Sequence, residues 1–133
     1  MGAKADAGKK YSANRGEEIW ESFAKIIDIC EKKETDLLLI AGDLFHRQPL
    51  LRELKEVDYL FSKLTKTKVV FIAGNHDYIK WNSYYRTFRW SKNVFPLLSD
   101  RLGCVEFKEH ETAVYGFSYY QREITERKYA KAK

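Results

Sequence analysis

Residues 37–49 read LLLIAGDLFHRQP and residues 69–78 read VVFIAGNHDY. In each stretch four apolar residues, Leu37 to Ile40 and Val69 to Ile72, run through an Ala-Gly pair into side chains able to bind metals or move protons. These are Asp43 and His46 in the first stretch, and Asn75, His76 and Asp77 in the second. A short, continuously apolar run closed by glycine reads as a strand buried on both faces of a parallel sheet. Two such strands with the same ending set the architecture.

Ahead of the first strand, Glu17–Lys33 places Ile19, Trp20, Phe23, Ile26, Ile27 and Cys30 on one stripe, the spacing of an amphipathic helix. Leu50–Leu64 repeats it with Leu50, Leu51, Leu54, Val57, Leu60, Phe61 and Leu64, and Pro49 suits the helix entry. Helix–strand–helix–strand with short loops predicts a three-layer α/β domain. Its central strands are parallel, cover 36–41 and 69–73, and are covered by helices. Residues 78–90, YIKWNSYYRTFRW, read as a loop entering a short helix whose Trp81, Tyr84, Tyr85 and Phe88 share a face and pack into the core. Val94–Leu98 reads as a strand, and Val105–Phe107 with Thr112–Phe117 as a hairpin on the sheet's flank. The whole chain, 1–133, is read as one domain, with 1–15 and 122–133 irregular.

The net charge of +5 lies at the ends. Lys4, Lys9, Lys10 and Arg15 stand against Asp6, and Arg122, Arg127, Lys128, Lys131 and Lys133 against Glu123 and Glu126, while the interior is close to neutral. Composition alone therefore does not define a nucleic-acid surface. Cys30 and Cys104 fit no metal-knuckle or redox spacing and read as buried free thiols. No run approaches the ~20 apolar residues of a membrane span and no signal peptide leads the chain, so the expectation is a cytoplasmic protein without membrane contact.

In open parallel sheets ligands collect beyond the carboxyl ends of the strands. Gly42 and Gly74 let the chain turn there, so Asp43 and Asn75 are expected to reach one crevice from neighbouring strands, with His46 and His76 close by. A carboxylate, a carboxamide and imidazoles suit divalent metals such as Mn²⁺, with Zn²⁺, Fe²⁺ or Mg²⁺ as alternatives. Taken singly, Asp43 also reads as a helix N-cap and each histidine as an ordinary polar group.

GDLFH (42–46) and GNHD (74–77), each closing an apolar strand and separated by one helix, resemble two signature blocks of the calcineurin-like metallophosphoesterases. The form GDLFH, with VYGFSYY (114–120) downstream, is similar to the DNA-repair exonuclease branch, the SbcD type. The resemblance covers roughly residues 15–120. It implies a DNA-directed phosphodiesterase with a two-metal Mn²⁺ site and an SMC-like ATPase partner. Asp43 would bridge the metals and Asn75 would ligate one of them. His76 would act as acid or charge stabiliser at the leaving oxygen, and His46 would position the phosphate.

The family's opening strand ending in Asp-x-His and its later Gly-His and Gly-His-x-His blocks have no counterpart in this sequence. The chain thus reads as the interior of a phosphoesterase domain, lacking the first strand and the C-terminal part. It is expected to bind metal weakly, to be inactive alone, and to self-associate as a homo-oligomer through the exposed sheet edge. Two other readings stand beside it. One is a noncatalytic nucleic-acid-binding module, in which Lys80, Arg86 and Arg89 contact phosphates among the aromatics of 78–90. The other is a self-associating structural fragment. His110, in a predicted hairpin turn, is not expected to be a ligand.

Overall fold

A computed structural model of the chain describes Met1 and residues 9–124, the side chains of residues 9–15 excepted. Along the chain come α1 (Lys9–Lys32), β1 (Leu37–Ala41), α2 (Leu51–Ser62), β2 (Lys68–Ile72), β3 (Val94–Pro96), β4 (Gly103–Phe107) and β5 (Thr112–Gly116). Short 3-10 turns occupy Tyr84–Arg86 and Lys108–His110. The basic residues beyond Ile124, with Lys4 and Asp6, lie outside the described residues.

β1, β2 and β3 form a fully parallel sheet in that order. Leu37–Ala41 pairs in register with Lys68–Ile72, and Val69–Phe71 with Val94–Pro96. The two sequence strands are therefore adjacent and parallel, as expected. β2 alone is central, whereas β1 is an edge strand among the described residues.

Strand alternation sorts the side chains into two layers. Leu38, Ile40, Val69, Phe71 and Val94 point to one face, where Phe23, Ile27 and Cys30 of α1 join Leu54, Val57 and Phe61 of α2 in a continuous core. Phe23 meets Phe61 edge-on at 5.7 Å, which joins the two helices over the sheet. Each such buried side chain contributes about 1.5–3 kcal/mol relative to its exposed state. On the opposite face Phe95 meets Phe107 of β4 at 5.3 Å, nearly perpendicular. Gly116 of β5 lies so close to Ile72 and Leu97 that a Cβ would stand 3.1 Å from Ile72 Cγ2. The three layers are thus helices, parallel sheet and antiparallel hairpin, so helices cover one face and not both.

Several local expectations are corrected. α1 begins at Lys9, well before the predicted Glu17, so helix runs through residues counted with the irregular N-terminal segment. The short helix after the loop is a single 3-10 turn, Tyr84–Arg86, and the four aromatics do not share a buried face: Trp81 is 85% exposed and Tyr84 exposed, while Tyr85 is buried and Phe88 partly buried. Cys30 is buried as expected but Cys104 is exposed, because it shares the outer face of the hairpin with Tyr115. Among the described residues no helix is long and apolar enough to cross a membrane.

Candidate metal centre

The loops leaving β1 and β2 touch through their glycines. A Cβ on Gly42, whose φ is +96°, would lie 2.9 Å from the Cα of Gly74, and one on Gly74 would lie 2.5 Å from the Asp43 nitrogen. Only glycine fits on either side of that approach, which explains why both strands end in Ala-Gly. Directly after it the chain enters the left-handed region at Asp43, φ 53°. Aspartate tolerates that conformation better than most residues. The carboxylate is thereby turned towards the second loop.

Each loop then holds the other through a carboxylate. The His76 amide donates to Asp43 Oδ1 at 3.0 Å. In return the Phe45 amide donates to Asp77 Oδ2 at 3.2 Å, and the Gly74 amide to Asp77 Oδ1 at 2.7 Å. The Tyr85 hydroxyl supplies a third donor to Asp77, at 2.7 Å. Asp77 has no exposed surface, and three donors compensate its burial. Burial first, and the Asp77 charge second, hold the Tyr85 phenol far above its usual pKa, so it remains a proton donor. Gln48 adds a further tie, donating from Nε2 to the Tyr78 carbonyl at 2.8 Å.

Met1 lies beside the first loop, with its amino group donating to the Leu44 carbonyl and its own carbonyl accepting the His46 amide at 2.7 Å. The imidazoles of His46 and His76, both exposed, stack at 4.7 Å with 20° between planes. Asn75 is exposed and faces Asp43. With its Nδ2 towards the carboxylate, it donates to Oδ2 at 3.1 Å and Oδ1 at 3.2 Å. With the amide turned over, its oxygen takes that position, an oxygen–oxygen approach that a shared cation relieves. Two oxygens at adjacent corners of an octahedral ion with ~2.1 Å bonds are separated by about 3 Å. The pair therefore fits two corners of one divalent ion. Among the described residues, no three His, Cys, Asp or Glu side chains gather into a group that could hold a metal.

The four residues singled out in the sequence thus meet at one place. Lys80, Arg86 and Arg89 are exposed on the segment that follows. His110 lies in the 3-10 turn of the hairpin, where Nε2 faces Asp36 at 3.9 Å. Sequence reasoning assigned no role to Asp77 or to Ser118. Ser118 is buried, accepts the Ala73 amide at 2.9 Å and donates to the Leu97 carbonyl at 2.8 Å, bracing the end of β2. The signal for Asp77 was its place in the second glycine motif. For Ser118 the sequence carried none.

A groove of about 600 Å³ runs along the edge of β1 that is unpaired among the described residues, between α1 residues such as Ile19, Phe23 and Ile26 and residues 38–44 of the strand and the loop after it. Its walls are largely aliphatic, and it meets the polar centre only at Asp43.

Adjacent strand ends of the parallel sheet thus present a carboxylate, a carboxamide and two imidazoles together. Residues 5–130 match the family described as calcineurin-like phosphoesterase, and the chain belongs to that family. It is similar to the uncharacterized metallophosphoesterase YhaO of Bacillus subtilis (strain 168), with 29% identity over 123 residues, covering 86% of this chain and 29% of that protein. The chain therefore spans less than a third of that relative's length. No solved structure matches it.

Proposed function

We propose that this chain carries part of the centre of a Mn²⁺-dependent phosphodiesterase acting on DNA in the cytoplasm. The observation that supports this reading is the approach of Asn75 to Asp43 at 3.1–3.2 Å across two strand ends. Asp43 would hold two metal ions through its two oxygens, and Asn75 one of them. Bound divalent metal supplies Lewis acidity and a hydroxide-like water at neutral pH. The residues of this chain do the rest. Asp77 and Tyr85 fix the two loops, the His76 imidazole stabilises charge or gives a proton at the leaving oxygen, and His46 orients the phosphate. Asp43 and Asn75 carry one negative charge between them, so remaining ligands must come from elsewhere in the assembled enzyme. Alone, this chain is expected to bind metal weakly and to turn over slowly or not at all. The GDLFH form supports an SMC-like ATPase as partner.

Paramagnetic broadening tests the site without needing turnover. Adding Mn²⁺ to the ¹⁵N-labelled chain should first broaden the amides of Asp43, Asn75 and His76, and Asp43→Ala should remove that preference. Broadening spread evenly over surface carboxylates would reject the centre.

A second reading, self-association, is favoured by the edge of β1, unpaired among the described residues, where Leu39 is 56% exposed on a wholly aliphatic strand. Unpaired edge donors and acceptors are a template for another chain. A second copy pairing there gives a mass that rises with concentration in sedimentation equilibrium. A monomer at every dilution rejects it.

A further inference from the structure

Residues 79–86 form a loop whose side chains are divided by burial. Ile79, Ser83 and Tyr85 are buried, whereas Lys80, Trp81, Tyr84 and Arg86 are exposed. The inward residues are fastened: the Ile79 amide donates to the Tyr119 carbonyl at 2.7 Å, Ser83 Oγ caps the turn by accepting the Tyr85 amide at 3.3 Å, and Tyr85 holds Asp77. Anchors on both sides leave Trp81 outward, the residue 85% exposed. A single apolar side chain on the surface is ordinary by itself, so its meaning depends on what surrounds it.

The surrounding charge indicates what the indole could meet. From Tyr78 to Lys92 the chain carries Lys80, Arg86, Arg89 and Lys92 and no carboxylate. Two of these cations are pre-ordered. Arg86 Nε donates to the Lys80 carbonyl at 2.6 Å, and its guanidinium lies 5.5 Å from the centre of the exposed Tyr120 ring. Tyr120 is fixed in turn by its hydroxyl, which donates to the Leu98 carbonyl at 2.8 Å. Lys80 Nζ stands 5.9 Å from the Tyr78 ring. Flat aromatic surface among fixed cations is the chemistry of a polyanion whose units carry π-faces. In a duplex those faces are hidden in the base stack, whereas an unpaired strand offers them.

We propose that Trp81 is a stacking platform for an unpaired nucleobase, with Lys80 and the Arg86–Tyr120 pair holding the flanking phosphates. The inference rests on the phosphoesterase reading for the position of the scissile bond. Trp81 lies five positions after His76, a reach of at most about 18 Å, within the span of a few nucleotides. The substrate class it names is a single-stranded nucleic-acid end, delivered to the centre with its bases read by stacking and not by sequence.

Fluorescence anisotropy of a labelled oligothymidylate against the full chain, followed together with tryptophan quenching, tests the platform. The single strand should quench the exposed indole and bind at least tenfold more tightly than a blunt duplex of equal length. Trp81→Ala should weaken binding about tenfold or more with an unchanged salt slope, and Trp81→Phe should retain most of it. Lys80→Gln should instead lower the salt slope by about one. Equal affinity of wild type and Trp81→Ala, or of single strand and duplex, overturns the proposal. Because the Mn²⁺ broadening at Asn75 is read separately, its loss with oligonucleotide binding intact counts against the phosphoesterase centre alone. The reverse result counts against the platform alone.

Discussion

Asp43 and Asp77 accept backbone amides from each other's loops: His76 donates to Asp43 at 3.0 Å and Phe45 to Asp77 at 3.2 Å. One carboxylate is exposed and the other wholly buried. The exchange separates two tasks on chemically identical groups. Asp77 is saturated by donors and fixes geometry, whereas Asp43 accepts one backbone amide and faces only the exposed Asn75 amide besides, leaving lone pairs that a cation could take.

Replacing Asp43 by Asn should leave the fold intact, because asparagine also tolerates the left-handed conformation held at φ 53°. The charge is lost, and with it the group that would serve two cations. In the assembled enzyme we expect turnover to fall by roughly a hundredfold or more, since metal clamping supplies several kcal/mol. Near-normal rates with an unchanged melting temperature would contradict this role.

Tyr85→Phe deletes a single buried hydrogen bond with little change in volume. The expected loss is about 1–3 kcal/mol in urea unfolding, the desolvation cost left on Asp77. Asp77→Ala strands the Gly74 and Phe45 amides as well as the phenol, and should cost more than Tyr85→Phe. Equal stability of all three proteins would show that the buried pair does not tie the loops.

The same phenol gives a pH dependence with a definite sign. Burial, then Asp77, raises its folded pKa well above the unfolded value of 10.0. Its contribution is therefore complete below pH 10 and is lost as the pH climbs further, because the unfolded chain then releases a proton that the folded one retains. Melting temperatures of wild type should fall more steeply above that pH than those of Tyr85→Phe. Parallel curves would refute the shift.

Gly74→Ala forces a methyl group into Asp43 and should both destabilise the fold, by about 1–3 kcal/mol, and abolish the Mn²⁺ broadening at that loop. Gly16 is the control. It lies in α1, and a methyl group there would meet nothing within 4 Å, so Gly16→Ala should stabilise by about 0.5–1 kcal/mol. Equal effects at the two glycines would show that the contact between the loops is not tight.

The strands and the four residues at their ends were legible because a buried parallel strand needs an unbroken apolar run, and that run with its glycine is written locally. The start of α1 was not, since Lys9–Gly16 carries no apolar stripe to mark it. Trp81, Tyr84, Tyr85 and Phe88 have helical spacing, yet the chain forms only a 3-10 turn. Asp77, eight positions earlier, takes the Tyr85 hydroxyl, and Ser83 caps the turn, so specific hydrogen bonds override the helical period. The sequence pattern marks which aromatics are spaced alike, whereas burial of Tyr85 and exposure of Trp81 depend on partners elsewhere in the chain.

The bracing of Ala73 by Ser118 and Tyr119 also bears on the order in which the centre is assembled. Ala73 is bonded by Ser118 across 45 positions of sequence, and its carbonyl accepts the Tyr119 amide at 3.1 Å. A ribosome makes Asn75 long before it makes the segment that clamps the strand beneath it. Closing so distant a contact is slow, because the entropy of the intervening loop is lost before any bond compensates it. During synthesis the helices, β1 and the exchange between the Asp43 and Asp77 loops can settle first. A nascent chain halted before Ser118 should therefore hold the apolar core while the amide and carbonyl of Ala73 lack their partners, so the end of β2 is the last part of the sheet to be clamped.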